Sequence, residues 1–157
     1  MKKEISCQVL DETSQHIALT TKLVSEGVEC CANEILKKYN VTTGQVFMLA
    51  AISRMESGQC TLKELEKNFC FSSTAVAGSI CRMESKHFVE SFVHPADKRI
   101  KCVRITEEGK NILEIARREL TNLEDEVLAD FTEEEKELTK NMLRKAYKRV
   151  EILRNIK

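Results

Sequence analysis

The segment from Ser72 to Lys86 carries small side chains, hydroxyl groups and two cations at helical spacing. A helix beginning at Ser73 would collect short and hydrogen-bonding side chains on one face, and such a face can approach the base edges of a DNA groove closely. Arg82 and Lys86 would add positive charge for phosphate groups. The candidate DNA contacts on this segment are Ser72, Ser73, Thr74, Ala75, Ala77, Gly78, Ser79, Arg82 and Lys86.

A second group of polar residues surrounds the single proline of the chain. Residues 94–99, with the sequence HPADKR, predict a turn that carries two adjacent cations. Arg99 is the candidate for a narrow minor groove, where concentrated negative potential attracts a guanidinium group. Asp97 is an acid on the same tip, and we expect it to hold the Arg99 side chain in position. The candidate DNA contacts here are His94, Lys98, Arg99 and Lys101.

A pair of short helices would position the first group. Thr61 with Glu64 forms a capping box, so a helix is predicted from Leu62. Ser72 is the N-cap candidate of a second helix over residues 73–85. Apolar residues at spacings of four and three predict its buried side, formed by Val76, Ile80 and Met83.

Two strands would position the second group. Residues 89–93 and 101–105 read as strands on either side of the basic turn. A helix pair followed directly by a hairpin predicts a winged helix-turn-helix, in which one helix enters a DNA groove. The alternative is a small structural helix pair with a solvated hairpin.

Long helices flank this central module. Apolar periodicity predicts one from about residue 9 to 39. Capping signals predict three more, over about 42–55, 106–129 and 132–157. One-sided apolar surface on helices of this length indicates an intersubunit bundle. The candidate dimer contacts are Leu10, Ile17, Leu138, Met142, Leu143, Val150 and Leu153.

Residues 41–109 resemble the MarR (multiple antibiotic resistance regulator) family of bacterial winged-helix transcription factors. The most recognisable shared feature is Asp97-Lys98-Arg99, closed by Thr106-Glu107-Glu108-Gly109. Other matching pieces are Thr43-Gly44-Gln45, Thr61-Leu62-Lys63-Glu64-Leu65, Ser73-Thr74-Ala75-Val76, Arg82-Met83-Glu84-Ser85-Lys86 and Val103-Arg104-Ile105. The order of the helices extends the resemblance to essentially the whole chain.

The resemblance implies a mainly α fold with a small β-hairpin wing, a winged helix-turn-helix with long N- and C-terminal dimerisation helices. We expect a single domain over 1–157, with the core at about 42–105 and dimerisation helices at about 8–39 and 107–157. The sequence departs from the family pattern at two positions. His87 stands where glycine is usual, which predicts a strained or shifted helix end. Ser91 stands near a position that is usually basic, which removes a phosphate contact.

The function implied by the resemblance is a homodimeric, sequence-specific transcription regulator, more often a repressor, that responds to a ligand or an oxidant. Two-fold symmetry predicts a pseudo-palindromic site in double-stranded DNA, with half-site centres about 34 Å apart. Two alternatives stay open: a dimeric thiol-based redox sensor, and an interaction module that has lost DNA binding. The family tends to bind small aromatic or lipophilic acids beside its dimer helices, and the candidates to line such a pocket are His16, Phe47, Met48 and Arg54.

Charge and composition narrow the class of protein. The chain has no net charge, yet residues 72–104 hold an excess of three positive charges, on the proposed reading helix and hairpin. We find no apolar run long enough to span a membrane, and the basic start lacks the apolar part of an export signal. We therefore expect a cytoplasmic protein without a membrane partner. Isolated glycines and the lack of a Gly-x-Ser-x-Gly motif argue against an enzyme, and we expect no cofactor.

The seven cysteines form a separate problem. None has CxxC spacing and none has a histidine at ligand spacing, so we expect no metal site. An odd number in a reducing compartment argues against a complete disulfide framework. The first interpretation is that free thiols fill the core as small apolar groups. The second is a thiol switch that changes DNA affinity on oxidation, with Cys7, Cys30 or Cys31 as candidates.

Overall fold

Six helices and a small sheet form the part of the chain that the computed structural model describes, residues 16–69 and 72–155. The helices are α1 (Ile17–Leu36), α2 (Thr43–Ser53), α3 (Leu62–Phe69), α4 (Ser73–Glu84), α5 (Glu107–Val127) and α6 (Glu133–Asn155). The strands are β1 (Gln59–Thr61), β2 (Val89–His94) and β3 (Asp97–Ile105). Short 3₁₀ turns at Lys37–Tyr39 and Glu56–Gly58 follow α1 and precede β1. The predicted start of the first helix, with Leu10, lies outside the described residues.

Side-chain caps begin the helices where the sequence predicted them. At α2, the Thr42 hydroxyl accepts a hydrogen bond from the Gln45 amide at 3.3 Å, and the Gln45 side chain accepts one from the Thr42 amide at 3.2 Å. This reciprocal pair satisfies two amide groups that have no partner inside the helix. The same reciprocal pair begins α3, with Thr61 and Glu64, and α6, with Thr132 and Glu135. A single bond from the Ala75 amide to the Ser72 hydroxyl begins α4.

The three strands form an antiparallel sheet in the order β1-β3-β2. β2 pairs with β3 from Val89 opposite Ile105 to His94 opposite Asp97, so the hairpin turn is only Pro95–Ala96. The six-residue turn predicted from the sequence is wrong, because β3 begins at Asp97 and not at Lys101. The prediction also omitted β1, whose three residues are too short to show an alternating pattern.

One apolar core joins α2, α3, α4 and the sheet. The predicted buried side of α4 is confirmed, since Val76, Ile80 and Met83 are at most 1% exposed. Burying an aliphatic side chain of this size stabilises the fold by about 1.5–3 kcal/mol, so these three residues fix which side of α4 faces the core. The largest side chains packed with them are Leu36, Leu49, Ile52, Leu65, Val89 and Val103.

Helix α4 ends in a left-handed turn at His87. The His87 φ angle is 60°, and its amide donates to the Glu84 carbonyl at 2.9 Å. The Phe88 amide donates to the Met83 carbonyl at 3.0 Å. These two bonds define a Schellman motif, in which glycine is the usual left-handed residue. The strained helix end predicted from His87 is therefore confirmed, and it reverses the chain into β2.

The start of α5 is attached to this same turn. The Thr106 hydroxyl donates to the His87 carbonyl at 2.6 Å and accepts from the Gly109 amide at 3.0 Å, so one side chain caps α5 and holds the end of α4. Gly109 lies so close to the Phe88 carbonyl group that an added Cβ atom would overlap its oxygen, and it would also lie 2.9 Å from the Ile105 side chain. The helix can approach this closely only because residue 109 has no side chain.

The chain divides into two compact units, one ending at Leu120 and the other beginning at Thr121. The second unit comprises the end of α5 and all of α6. Leu123 is buried, whereas the apolar residues of α6 stay open to solvent in this single chain. The exposed residues with large apolar side chains on α6 are Leu138, Met142, Leu143, Tyr147, Val150, Ile152 and Leu153.

Replacing Gly109 with alanine should destabilise the protein, whereas replacing a glycine inside a helix with alanine usually stabilises it. Gly109→Ala should lower the free energy of unfolding by roughly 3 kcal/mol, because the new methyl group overpacks against the Phe88 carbonyl. Gly27→Ala in α1 is the matched control, since no atom lies within 4 Å of its added Cβ, and it should raise stability by about 1 kcal/mol. Urea unfolding followed by circular dichroism measures both. Equal effects of the same sign would contradict the close approach.

Candidate nucleic-acid interface

The outer face of α4 is open to solvent along its length. The Ser72 hydroxyl accepts from the Ala75 amide at 3.2 Å and so fixes where the helix begins. Its first turns present short side chains, so the backbone can come near a flat or grooved partner. The sequence-predicted contacts on this face are all accessible: Ser73, Thr74, Ala75 and Ala77 are exposed, and Gly78 and Ser79 are half-buried.

Arg82 lies on the same face and is folded back along α4. Its Nη2 donates to the Ser79 hydroxyl at 3.4 Å, and its Nη1 lies 3.5 Å from the position of a Cβ on Gly78. A hydrogen bond of this length is weak. The guanidinium group is exposed and can therefore turn toward a phosphate or a base at little cost.

Cys81 belongs to this face, although it is absent from the sequence-predicted contacts. At about 100° per residue, Cys81 projects between Ala77 and Gly78, and its thiol is exposed. Its spacing of four residues from Ala77 was the signal that could have placed it here. Cysteine is a weak hydrogen-bonding residue, so its residue type did not indicate a DNA contact at position 81.

At the tip of the wing (β2, β3 and their turn), Asp97 and Arg99 form a two-point contact, here called the clamp. Arg99 Nε donates to Asp97 Oδ1 at 3.2 Å, and Nη2 donates to Oδ2 at 3.3 Å. The Arg99 amide also donates to Oδ1 at 3.0 Å. These side-chain and backbone bonds lower the pKa of the Asp97 carboxyl. The predicted partner of Asp97 is therefore present, and the Arg99 side chain stays 91% exposed.

The other predicted wing contacts differ in how freely they can move. Lys98 and Lys101 are exposed. His94 is half-buried, and its Nδ1 accepts from the Ala96 amide at 3.2 Å, which closes the two-residue turn. Arg104, further along β3, forms an ion pair with Glu90, and its guanidinium group lies over the Phe92 ring. Lys98 and Lys101 are thus exposed cations near the tip, whereas Arg104 is exposed but paired with Glu90.

Lys86, predicted as a phosphate contact, has hydrogen-bond partners within the module. Its ammonium group donates to the Asn40 carbonyl at 2.6 Å and to Gln45 Oε1 at 3.3 Å. Asn40 lies in the connection between α1 and α2, and Gln45 lies in the first turn of α2. The Lys86 side chain therefore turns to the body of the module, where two oxygen atoms accept its hydrogen bonds.

The four residues predicted to line an effector pocket differ in how far they are exposed to solvent. Met48 is buried in the core, whereas Phe47 beside it is 58% exposed. His16 and Arg54 are exposed at the start of α1 and the end of α2. A cavity of about 530 Å³ near the start of α2 is lined by other residues, including Glu29, Asn33, Thr43 and Lys86.

The described cysteines fall into two groups. Cys30, Cys31 and Cys81 are exposed, and Cys60 and Cys102 are buried. Burial raises the pKa of both buried thiols, that of Cys60 to about 11, with a smaller contribution from the Glu64 charge. These two thiols are buried with the apolar residues, as the first interpretation expects, and we expect them to react slowly. Cys7 and Cys70 lie outside the described residues.

The described residues show neither a metal-binding cluster nor a membrane-spanning helix. Within 16–69 and 72–155, no three His, Cys, Asp or Glu side chains are grouped so that they could hold a metal ion. In the same ranges, no helix has the length and apolar character needed to cross a membrane.

Comparisons with known proteins agree with this geometry. Residues 41–109 match the family model described as a winged helix DNA-binding domain. HTH-type transcriptional regulator BilQ of Clostridioides difficile (strain CD3) is 27% identical over 108 residues, 68% of this chain and 72% of BilQ. The uncharacterized HTH-type transcriptional regulator YybA of Bacillus subtilis (strain 168) is 26% identical over 129 residues, 82% of this chain and 85% of YybA.

The fold also matches a solved protein–DNA complex. A cysteine-to-serine mutant of MarR from E. coli, complexed with operator DNA, superposes with a TM-score of 0.74 and 26% identity, covering 85% of this chain and 96% of that chain. The accessible helix face, the wing and these matches define a winged-helix DNA-binding protein. The chain has a winged helix DNA-binding domain and is similar to MarR over most of its length, and it is a DNA-binding transcription regulator.

Thiol labelling of the folded protein should separate the two cysteine groups. At about pH 8, Cys30, Cys31 and Cys81 should react quickly, because their exposed thiols are accessible to the reagent. Cys60 and Cys102 should react slowly, since burial raises their pKa. Peptide mapping by mass spectrometry identifies the labelled sites, and the urea-unfolded protein is the control in which all thiols react alike. Fast labelling of Cys60 in the folded protein would contradict the assignment.

Proposed function

We propose that this regulator acts as a homodimer on a pseudo-palindromic operator in double-stranded DNA. One α4 enters the major groove of each half-site, and Arg99 enters the flanking minor groove. The half-site centres lie about 34 Å apart, one helical turn of DNA. The proposal is supported above all by the clamp, which presents a guanidinium group on an exposed tip in the same module as the open face of α4.

The proposed DNA contacts divide by role. Short side chains of α4 read base edges, and the cations of the wing meet the backbone and the minor groove. Asp97 positions Arg99 and makes no contact of its own. Lys86 is left out, because its ammonium group is bonded elsewhere. The set is Ser72, Ser73, Thr74, Ala75, Ala77, Gly78, Ser79, Cys81, Arg82, His94, Lys98, Arg99 and Lys101.

The dimer is supported by apolar side chains that the single chain leaves exposed. An apolar set of this size on one helix indicates a protein partner, and a second copy of the chain is the commonest one. The predicted dimer contacts among the described residues are between 47% and 81% exposed, namely Ile17, Leu138, Met142, Leu143, Val150 and Leu153. Tyr147 and Ile152 extend the same surface.

Regulation would act on the separation of the two α4 helices. A repressor of this design releases DNA when a small aromatic or lipophilic effector, or an oxidant, favours a dimer state in which the helices no longer fit successive major grooves. The oxidant version rests on the exposed thiols of Cys30 and Cys31 in α1. We place this function in the cytoplasm. The competing proposal, an interaction module without DNA binding, rests on the zero net charge and on Ser91 in the wing.

Two neighbouring substitutions in the wing test the function. An operator is first isolated by selecting bound fragments of the organism's own DNA, and its affinity is then measured across a salt series. Arg99→Ala should weaken binding by roughly 1–3 kcal/mol and flatten the salt dependence by about one unit per subunit. Asp97→Ala should also weaken binding and reduce selectivity, because Arg99 loses its direction. Simple electrostatics predicts the opposite for Asp97→Ala, since it removes a negative charge.

The control is Lys110→Ala, which removes one exposed cation on α5 that is paired with Glu107. It should leave affinity unchanged. Tighter, equally selective binding by Asp97→Ala would refute the positioning role of the clamp. Wild-type affinity in Arg99→Ala would show that the wing does not read DNA, and salt-independent retention of the wild-type protein would favour the interaction module.

Charged substitutions on α6 test the dimer. Leu143→Glu together with Val150→Glu should convert the dimer to a monomer, because two carboxylates would be buried in an apolar interface. Sedimentation velocity measures the mass, and circular dichroism checks that the helices remain. Val93→Glu is the matched control, since Val93 is also exposed but lies on the wing. A doubly substituted protein that stayed a dimer would place the interface elsewhere.

A further inference from the structure

The exit of α4 is joined to the connection between α1 and α2 by one side chain. Lys86 follows the last turn of α4, and its ammonium group bridges the Asn40 carbonyl and the Gln45 side-chain oxygen. Gln45 is 4% exposed, and the same oxygen accepts from the Thr42 amide. The residue that caps α2 is therefore also a partner of the residue that ends α4.

The connection that receives Lys86 is itself held in place. The Tyr39 hydroxyl donates to Glu119 of α5 at 2.6 Å, and the Lys38 ammonium group lies 3.1 Å from the same carboxylate. On the other side, the Thr43 amide donates to Asn33 of α1 at 2.9 Å. Residues 38–43 thus contact α1, α5 and the exit of α4, and they provide a fixed support against which α4 can be oriented.

A cation suits this position for an electrostatic reason. Asn40 ends the 3₁₀ turn after α1 with a left-handed φ of 54°, so carbonyl groups without a helical partner gather at this end. The end of a helix carries partial negative charge, which attracts an ammonium group. An apolar residue at position 86 would leave the Asn40 carbonyl and part of the Gln45 side chain without their donor.

We infer that Lys86 is a positioning residue of the DNA-reading helix and does not neutralise a phosphate. Its bridge sets the orientation of α4 against the α1–α2 connection, and DNA affinity depends on that orientation. The inference rests on the proposed function, in which α4 enters the major groove. It assigns to Lys86 a role opposite to that of the exposed Lys98 on the wing, although both residues carry the same charge.

The salt dependence of operator binding separates the two roles. A lysine that neutralises a phosphate contributes about one unit to the slope of log affinity against log salt, and a positioning lysine contributes none. Lys98→Met should flatten the slope by about one unit per subunit. Lys86→Met should lower affinity about ten-fold at every salt concentration, with a slope parallel to that of the wild-type protein. A flattened slope for Lys86→Met, or wild-type affinity, would overturn the inference.

A second variant guards against general damage to the fold. Gln45→Glu keeps the capping acceptor at the start of α2 and places a carboxylate beside the Lys86 ammonium group. Its own operator affinity is the reference for the double variant. Combined with Lys86→Met, it should bind more weakly than the two separate effects predict, because the carboxylate is buried without its cation.

Thermal unfolding of each variant confirms that it is folded at the assay temperature. Strictly additive effects would refute the role of the Lys86–Gln45 contact. Failure of the wild-type protein to bind DNA in a salt-dependent way would refute the proposed function, and the role of Lys86 with it. If the wild-type protein binds DNA with the expected salt dependence but Lys86→Met flattens it, the role proposed for Lys86 is refuted and the proposed function is not.

Discussion

The approach of α5 to the Phe88 carbonyl group is the constraint on which the winged module depends. Four elements meet there. The end of α4 leads into β2, the end of β3 leads into α5, and the two connections are brought together because Val89 pairs with Ile105. Gly109 leaves the space, and the Thr106 amide donates to the Phe88 carbonyl at 3.1 Å, while the Thr106 hydroxyl, which donates to the His87 carbonyl, lies 3.0 Å from the Phe88 oxygen. The left-handed His87 turns the chain into this position at a cost in backbone strain. The meeting point therefore combines a strained residue with several bonds that compensate for it.

The reading helix and the wing tip are ordered in two different ways. Helix α4 is ordered by the core, since its buried side chains fix its rotation and its exit is attached to both α5 and the α1–α2 connection. The wing tip is ordered by contacts among close neighbours, namely the His94–Ala96 bond and the clamp. A base-reading surface needs the first kind of order, because small rotations of a long element move its side chains far. A single guanidinium group needs only the second.

Local chemistry explains why much of this arrangement could be predicted from the sequence. Capping pairs such as Thr42 with Gln45 act within three residues, and the buried side of α4 follows from helical spacing, so both are readable along the chain. The partner of Asp97 is two residues away and could be inferred for the same reason.

The features that the sequence did not reveal depend on distant parts of the chain. β1 exists because it pairs with a strand about forty residues later, and Lys86 finds its acceptors in a connection 41 to 46 residues earlier. From the sequence alone, a lysine near a helix end could contact either a phosphate or an oxygen atom of the protein itself. Only the fold shows which protein oxygen atoms lie near it. Helical spacing puts Cys81 on the outer face of α4, but it was not predicted as a DNA contact because cysteine is a weak hydrogen-bonding residue.

The clamp has a consequence for how this regulator searches for its site. A chain with no net charge exerts little long-range attraction on DNA, and Asp97 compensates part of the Arg99 charge at the tip. In the proposed complex, Asp97 keeps Arg99 in the direction in which it enters a minor groove. A groove of ordinary width would attract that guanidinium group weakly, and a narrowed minor groove would attract it more strongly, since its potential is deeper. On this proposal, residence on random DNA would be brief, and the time that the protein spends on a sequence would depend on the shape of the groove.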